Sequence, residues 1–512
     1  MGVRSAIMGW LQRGTPEPVK APRRRMYEGA KFSRLTADWV TGNTSADSEV
    51  YGSAQKLRDR ARQLCRDNDY ARQVLRAIEG NVVGQGIPFQ GQVRMVRGGG
   101  RLDSAVNDQI EQLWKRWTKA RYCHTGGKLT FHDIERLAVR SVAESGEVFI
   151  RLVKQPFSGS AVPLALEVLE ADQLDDGLNG RSQQGNEIRM GVEVDTWGRP
   201  VAYHFLAYHP GDYQFSNQQI STQRHKRVLA DEVLHLYRTE RPGQTRGVTW
   251  FASAIQRLHH LQGYEQAEVV RARASSALMG FITSPEGELL GDDVMNGERV
   301  SQFEPGVFKY LAPGESVTVP QLDAPDGQFE PFLRAMLRAM AAGVGCSYET
   351  VSRDFSQTNY SSSRLSLLED RDHWRILQNW LIENLHQRVF EVWLDMAVLS
   401  GGLPLANYEL QADRYKAVRW MPRGWAWVDP AKEVEAYAMA VRNGFKTLSD
   451  VVTEQGGDIE ELMRARRQEL DDAEALDLKF DTDPGADLQP AGQPQAADNG
   501  TDNPDDTDGS IA

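Results

Sequence analysis

The densest run of chemistry-capable side chains is SQTNYSSSRLS, from Ser356 to Ser366, in which seven of eleven residues carry a hydroxyl. Clusters of Ser, Thr and Asn do three kinds of work: they cap helices, they serve as nucleophile or phosphate sites, or they form a polar loop that touches a partner. A nucleophile needs a base within hydrogen-bond reach, and a phosphate site needs a glycine cradle. No G-x-S-x-G, HExxH or EF-hand pattern occurs in the chain. HTGGKLT (124–130) has the Gly-Lys pair of a phosphate loop, but Tyr122 stands where the first Gly belongs and Leu129 where Ser or Thr should hold a metal. His259 and His260 are adjacent, so on a helix they point apart and cannot form a two-ligand face.

Two further candidates remain. Cys346, in GVGCSYET, has no partner base identifiable by motif, and a buried helix-end thiol is the default. Glu147, Glu170 and Asp172 lie in GEVFI and LEADQLDD, and a carboxylate site within 147–176 would make the chain an intracellular hydrolase or nuclease. Solvated strand ends explain these acids as well. Neither a metal nor a cofactor is expected, and the absence of a catalytic constellation in so long a chain favours a structural role.

The elements that must position these residues follow from hydropathy patterning. Residues 28–145 read as mostly helical, with Leu57, Ala61, Leu64, Ala71, Val74 and Ile78 at helical spacing before Gly80 and Gly84. From 147 the period changes to two, in EVFIRLVKQ, LALEVLEAD, EIRMGVEVDTWGRPVAYHFL and RVLADEVLHLYR. Ile188, Met190, Val192 and Val194 share a face, with Val201, Tyr203 and Phe205 opposite across DTWGRP. A helix with small residues comes next over 248–279, then about 48 residues rich in turn formers, then a second Ala-rich helix over 329–345. Residues 364–399 carry Leu368, Trp374, Leu377, Leu381, Leu385, Val389, Trp393 and Met396 every three or four positions. At about 1.5 Å per residue that helix is on the order of 54 Å long, with the last serines before it as its cap.

Charge is unevenly placed. The net charge is −12, yet Leu470 to Ala512 holds twelve acids against Lys479, while the first 25 residues are basic. The remaining body is close to neutral, which is not the footprint of a protein that grips nucleic acid. The acidic tail (471–512) and the basic arm (1–27) hold too few large apolar residues to offset chain entropy and are expected to be disordered. Three cysteines without CxxC spacing suit a reducing compartment. No apolar run reaches the length of a membrane span.

Read in order, four groups of segments resemble the portal proteins of tailed bacteriophages, lambda type. They are SRLTADWVTGNTSADSEVYG through NVVGQGI (33–87); LAVRSVAESGEVFIRLV with LALEVLEADQLD; GVEVDTWGRPVAYHF with ADEVLHLYRTERPGQTRGVTWFASAI; and SSSRLSLLEDRDHWRILQNWLIENL with WMPRGWAWVDPAKEVEAYAMAVRNGFKTLSDVVTEQGGD. The resemblance implies an α+β, elongated subunit of a ring, a homo-oligomer typically of twelve, at one vertex of a virion capsid. Double-stranded DNA is packaged and ejected through its channel. The expected parts are a wing (28–247), a first stem helix (248–279), a clip (280–328), a second stem helix (329–345), a tunnel-loop region (346–363), a long wing helix (364–400) and a crown (401–470).

On the same footing the DNA-facing residues are Arg353, Ser356, Gln357, Thr358, Asn359, Tyr360, Ser361 and Ser362. Glu286, Glu288, Asp292 and Asp293 of the clip would dock the large terminase. Other expected partners are a major capsid or scaffold protein and a head-completion (connector) protein, met in the host cytoplasm during assembly; a membrane is not among them. A channel in which DNA slides should avoid many phosphate clamps, since each neutralised phosphate adds counterion-release affinity. A loop of Ser, Thr, Asn and Gln with few charges suits that demand.

Overall fold

The computed structural model describes residues 34, 37–39, 41–96, 102–212, 225–276, 281–283, 294–295, 298–299, 316–318, 329–356, 359–425, 430–455, 457–476 and 478. The basic arm, most of the 280–328 segment and the acidic tail beyond 478 lie outside them.

Ser45 caps α1 (Ala46–Asp67) by accepting from Ser48 N, and Asn68 caps α2 (Asp69–Val82) by accepting from Ala71 N. The expected apolar run is thus divided at Asn68, whose extended backbone ends α1, and it continues past Gly80 to Val82. After a short strand β1 (Phe89–Gly91) come α3 (Ser104–Trp117) and α4 (Phe131–Ser145). A Thr130/Asp133 capping box starts α4, and Gly146, with φ +94°, ends it.

The sheets come directly after. β2 (Glu147–Val153) is flanked antiparallel by β3 (Ala165–Leu169) and by β9 (Val233–Tyr237). A second, five-stranded sheet runs in the order β4 (Gly180–Arg181), β5 (Glu187–Arg189), β6 (Val192–Val194), β7 (Pro200–Leu206), β8 (His225–Leu229). The expected strand over 188–194 is interrupted: Met190 (φ +47°) and Gly191 (φ +82°) form a turn between β5 and β6. The hairpin across DTWGRP is present, pairing Val192 with Tyr203. Phe149, Val192, Val194, Tyr203, Phe205, Val228 and Val233 form the apolar layer joining the two sheets.

α5 spans Ile255–Ser276, so the helix expected from 248 starts seven residues later. The reason is a tertiary contact: Trp250 N and the Thr249 hydroxyl both donate to the Ala143 carbonyl, which holds the chain off a helical path. α6 (Phe329–Val344) begins where expected, and Gly345, with φ +80°, stops it. A short α7 (Tyr348–Ser352) leads to a long helix made of α8 (Tyr360–Leu381), one π turn (Ile382–His386) and α9 (Gln387–Leu399). This helix starts four residues before Arg364, so Ser361–Ser363 occupy its first turn instead of capping it; the Asn359 carbonyl accepts from Ser363 N.

Trp374, Leu377, Leu381, Leu385, Val389 and Trp393 are buried as the spacing predicts, but Leu368 is 42% exposed. Beneath α9 a cluster of aromatic rings (Phe89, Trp114, Phe131, Phe390, Trp393, Trp420) welds the long helix to the N-terminal helices. Edge-to-face pairs of this kind add about 0.5–1.5 kcal/mol each beyond their area burial. The Val418–Trp420 strand pairs with β1, tying the C-terminal part to the same core. Helices α10 (Pro430–Arg442), α11 (Leu448–Glu454) and α12 (Ile459–Ala475) are the last among the described residues, and α12 carries regular structure five residues into the segment expected to be a disordered tail.

Candidate functional site

The hydroxyl-rich stretch leaves α6 by a fixed route. Asp370 of the long helix, itself buried, accepts from Ser347 N (2.9 Å), Ser347 Oγ (2.6 Å) and Thr350 Oγ1 (2.7 Å), pinning α7 against α8. Arg353 then turns the chain with φ +58°. Asp354 gathers the next turn, accepting from Ser356 Oγ (2.6 Å), Ser356 N (3.0 Å) and Tyr348 OH (2.9 Å). Those bonds, the Ser356 hydroxyl first, hold its carboxyl down at about 2. Arg353, Phe355, Ser356 and Asn359 are exposed, and Arg353 makes no ion pair among the described residues.

Of the residues singled out from sequence, Arg353 and Ser356 therefore lie on one exposed turn, and Asn359, also exposed, directly precedes the long helix. Tyr360, Ser361 and Ser362 belong to the first helical turn. Gln357 and Thr358, like Glu286, Glu288, Asp292 and Asp293, lie outside the described residues. Sequence reasoning missed the anchors Asp354 and Asp370 and the exposed Phe355; an Asp two residues before a Ser is the Asx-turn signal that could have found the first.

The loop hangs from a helix pair of defined register. Tyr264 of α5 packs on Phe329 and Phe332 of α6 (ring centroids 5.9 and 4.7 Å apart), Arg257 Nη1 donates to Ala339 O, and Ser253 Oγ donates to Gly343 O. Contacts advance on one helix as they recede on the other, so α5 and α6 are antiparallel. α5 thus ends and α6 begins toward the same end of the pair, while residues 345–356 follow α6 at the other. A Cβ at Gly343 would stand 2.9 Å from Ser253 Oγ, so the small residue permits this approach. Val269 and Val270 of α5 are exposed.

The carboxylates of 147–176 form a buried charge network. Arg246, 1% exposed, donates to both oxygens of Glu147 (2.8 and 3.0 Å), to Asp176 (2.5 Å) and to the carbonyls of Met190 (2.7 Å) and Ala171 (3.1 Å). Glu147 also contacts His235 Nε2 (2.9 Å) and accepts from Gly247 N (2.9 Å). Arg58 donates to Asp172 (2.7 Å), and Arg62 pairs with Asp172 and with Glu170. Burial alone would raise the Glu147 pKa; the Arg246 charge, then His235, bring it well below the usual carboxylate range.

A general acid or base needs a free, near-neutral carboxyl, and these are committed to arginines. Glu170, Asp172 and His209 converge closely enough to suggest a cation site, but Arg62 already supplies the positive charge there. The network joins α1, β2, the 171–176 turn and the 245–247 segment that feeds α5. Arg58 was legible in principle, since it shares a helix face with buried Ala61 and Cys65.

Cys346 is buried, and that burial pushes its thiol up to about 12, favouring the protonated form over the thiolate a nucleophile needs. No described helix is long and apolar enough to cross a membrane.

A family profile described as phage portal protein, lambda family, matches residues 32–378. The chain is 30% identical to the probable portal protein of Halomonas phage phiHAP-1, covering 92% of this chain and 90% of that one. It is 21% identical to portal protein B of Escherichia phage lambda, over 88% and 90% of the two chains. Among solved structures, a chain from the neck of an empty gene transfer agent particle aligns with a TM-score of 0.41 at 13% identity, over 83% of this chain and 98% of that one. With two thirds of its length inside the profile match, this chain belongs to the lambda family of phage portal proteins.

Proposed function

We propose that the chain is the repeating subunit of a portal ring at a capsid vertex, through which double-stranded DNA enters and leaves the virion. The carrying observation is the antiparallel α5–α6 pair with an insertion at one end and an anchored, exposed polar turn at the other. In this reading α5 and α6 are the stem, 280–328 the clip, 346–363 the tunnel-loop region, 364–400 the long wing helix and 401–470 the crown. Terminase docks at the clip, through Glu286, Glu288, Asp292 and Asp293, and capsid or scaffold and head-completion proteins meet other faces.

A closed ring needs two different complementary faces on each subunit, related by a rotation that closes. The exposed Val269 and Val270 on a helix flanked by small residues suit packing against a neighbouring copy. At the loop, Asp354 and Asp370 fix where the polar side chains stand while leaving them exposed, so contact with DNA is positioned without being tight. Arg353 offers a single point charge, and Phe355 an apolar surface. A structural role is what membership of the portal family supports, and nothing favours the hydrolase alternative.

Deleting Gln357–Ser362 tests the loop assignment. Assembled mass should remain that of the parent while packaged or retained DNA falls; normal DNA content in such a variant would remove the loop from the channel.

A further inference from the structure

The segment singled out for its failed phosphate-loop pattern belongs to a charge feature that the portal reading leaves unused. Residues 113–132 contain Lys115, Arg116, Lys119, Arg121 and Lys128 and no acidic residue. All five side chains are exposed, and none makes an ion pair among the described residues. Lys115 and Arg116 complement the C-terminal dipole of α3, but Lys119, Arg121 and Lys128 lie beyond the helix. The patch is compact because its backbone closes on itself: Phe131 N donates to Thr118 O (3.0 Å), and the Cys123 thiol donates to Thr118 O and Leu129 O. His124 Nδ1 accepts from Lys128 N (3.2 Å), fixing the Gly126–Gly127 turn that presents Lys128. The nearest acids in sequence do not neutralise it. Asp133 is bound to Thr130 and pairs with Arg136, while Glu111 accepts from Gly91 N (2.7 Å) and makes no ion pair among the described residues.

Five uncompensated cations are unexpected on a chain of net charge −12. Like charges held together repel one another, and a polyanion relieves that repulsion. Within 113–132 no Phe, Trp or Tyr ring is exposed for bases to stack on: Trp114, Trp117, Tyr122 and Phe131 are all buried, Tyr122 beneath Arg121. The same chain carries a matching polyanion, with Asp502, Asp505, Asp506 and Asp508 as four carboxylates within seven residues. From Leu478 to Asp502 the chain can span at most about 80 Å, more than the ~60 Å of the long helix, so the patch of its own or a neighbouring copy is within reach.

We propose that the 115–128 basic patch is a docking surface for this chain's acidic C-terminal segment, through Asp502–Asp508. Carbodiimide coupling of the assembled full-length chain tests it, because this reagent joins an amine to a carboxylate only where the two already touch. Lys446 and Glu454, 2.6 Å apart, are the internal control. At about 50 mM salt, Lys115, Lys119 and Lys128 should couple to peptides containing Asp502–Asp508, with a yield roughly fivefold lower at about 500 mM, where screening is short-ranged. Arg116→Gln with Arg121→Gln leaves every amine in place and should reduce the same yields.

Absence of these couplings while Lys446–Glu454 forms would overturn the proposal. So would tail couplings spread evenly over lysines outside the patch. If instead a short DNA duplex shields the three lysines from acetylation while the segment stays uncoupled, the surface belongs to nucleic acid and the proposal fails.

Discussion

Replacing Arg246 by Ala should be among the most destabilising single changes in the described part of the chain. The side chain is 1% exposed and satisfies Glu147, Asp176 and the carbonyls of Met190 and Ala171. Its loss removes the donor to the Met190 carbonyl, leaves Ala171 O with only Leu174 N (3.3 Å), and leaves the fully buried Glu147 with His235, the Gly247 amide and a 3.5 Å contact to Arg58. Each buried acceptor left unpaired costs about 1–3 kcal/mol, and breaking a buried ion pair from one side costs about 3–5 kcal/mol. Because these terms overlap, the expected loss is about 4 kcal/mol, not their sum.

Chemical denaturation followed by Trp fluorescence measures it, with the transition reported by the sheet region analysed separately if unfolding is not two-state. Glu147→Gln should cost less, since an amide still accepts from Gly247 N. The double change Arg246→Met with Glu147→Leu should recover much of the loss, because a buried pair exchanged for apolar volume is often neutral. A loss below about 1 kcal/mol for Arg246→Ala, or a double variant as weak as the two single losses added, would refute the reasoning.

Three further outcomes come from the same geometry. Gly247→Ala should abolish soluble protein, since the new Cβ would stand 2.2 Å from Gly146 O and 2.8 Å from Tyr237 Cβ, and expression level checks it. Acidification should weaken the fold. Glu147 and Asp172 are held below, and His235 below 6.5, their ordinary values, so the stability they confer is present above the unfolded pKa values (4.5, 3.8 and 6.5) and lost as pH falls through the depressed ones. Asp176, raised by burial, works the other way, and the Arg246→Met, Glu147→Leu variant, which lacks the Glu147 carboxylate, should lose less stability than the parent as pH falls below 4.5. Truncation after Leu478 keeps α12 whole and should leave assembled mass per subunit unchanged apart from the missing residues; loss of assembly, read by native mass spectrometry, would make the acidic segment structural.

How much of this was legible in the sequence depends on the range of the interactions involved. The change from period 3.6 to period 2 at Glu147, and the start of α6 at Phe329, are written in local patterning and were readable. So was the DTWGRP hairpin. Helix ends set by distant partners were not: α5 starts late because Thr249 and Trp250 bond to Ala143, about a hundred residues earlier. The π turn at Ile382–His386 likewise leaves no mark on an apolar spacing that drifts through it.

The carboxylates of 147–176 looked available for chemistry because their neutralising partners, Arg58 and Arg246, lie far away along the chain. Only their meeting across α1, β2 and the 245–247 segment turns acids into struts. The loop was visible as a polar cluster, whereas its fixed geometry depends on Asp354 and on Asp370, which lies beyond the loop on the long helix.

Whether the 57.4 kDa chain closes into a ring is the central claim, and the mass of the purified assembly under assembly conditions tests it most directly. A portal subunit gives a discrete closed species of about twelve copies, seen as annular particles with an open centre. A protein that stays monomeric under every such condition, or grows into open filaments without a closed species, would contradict the account.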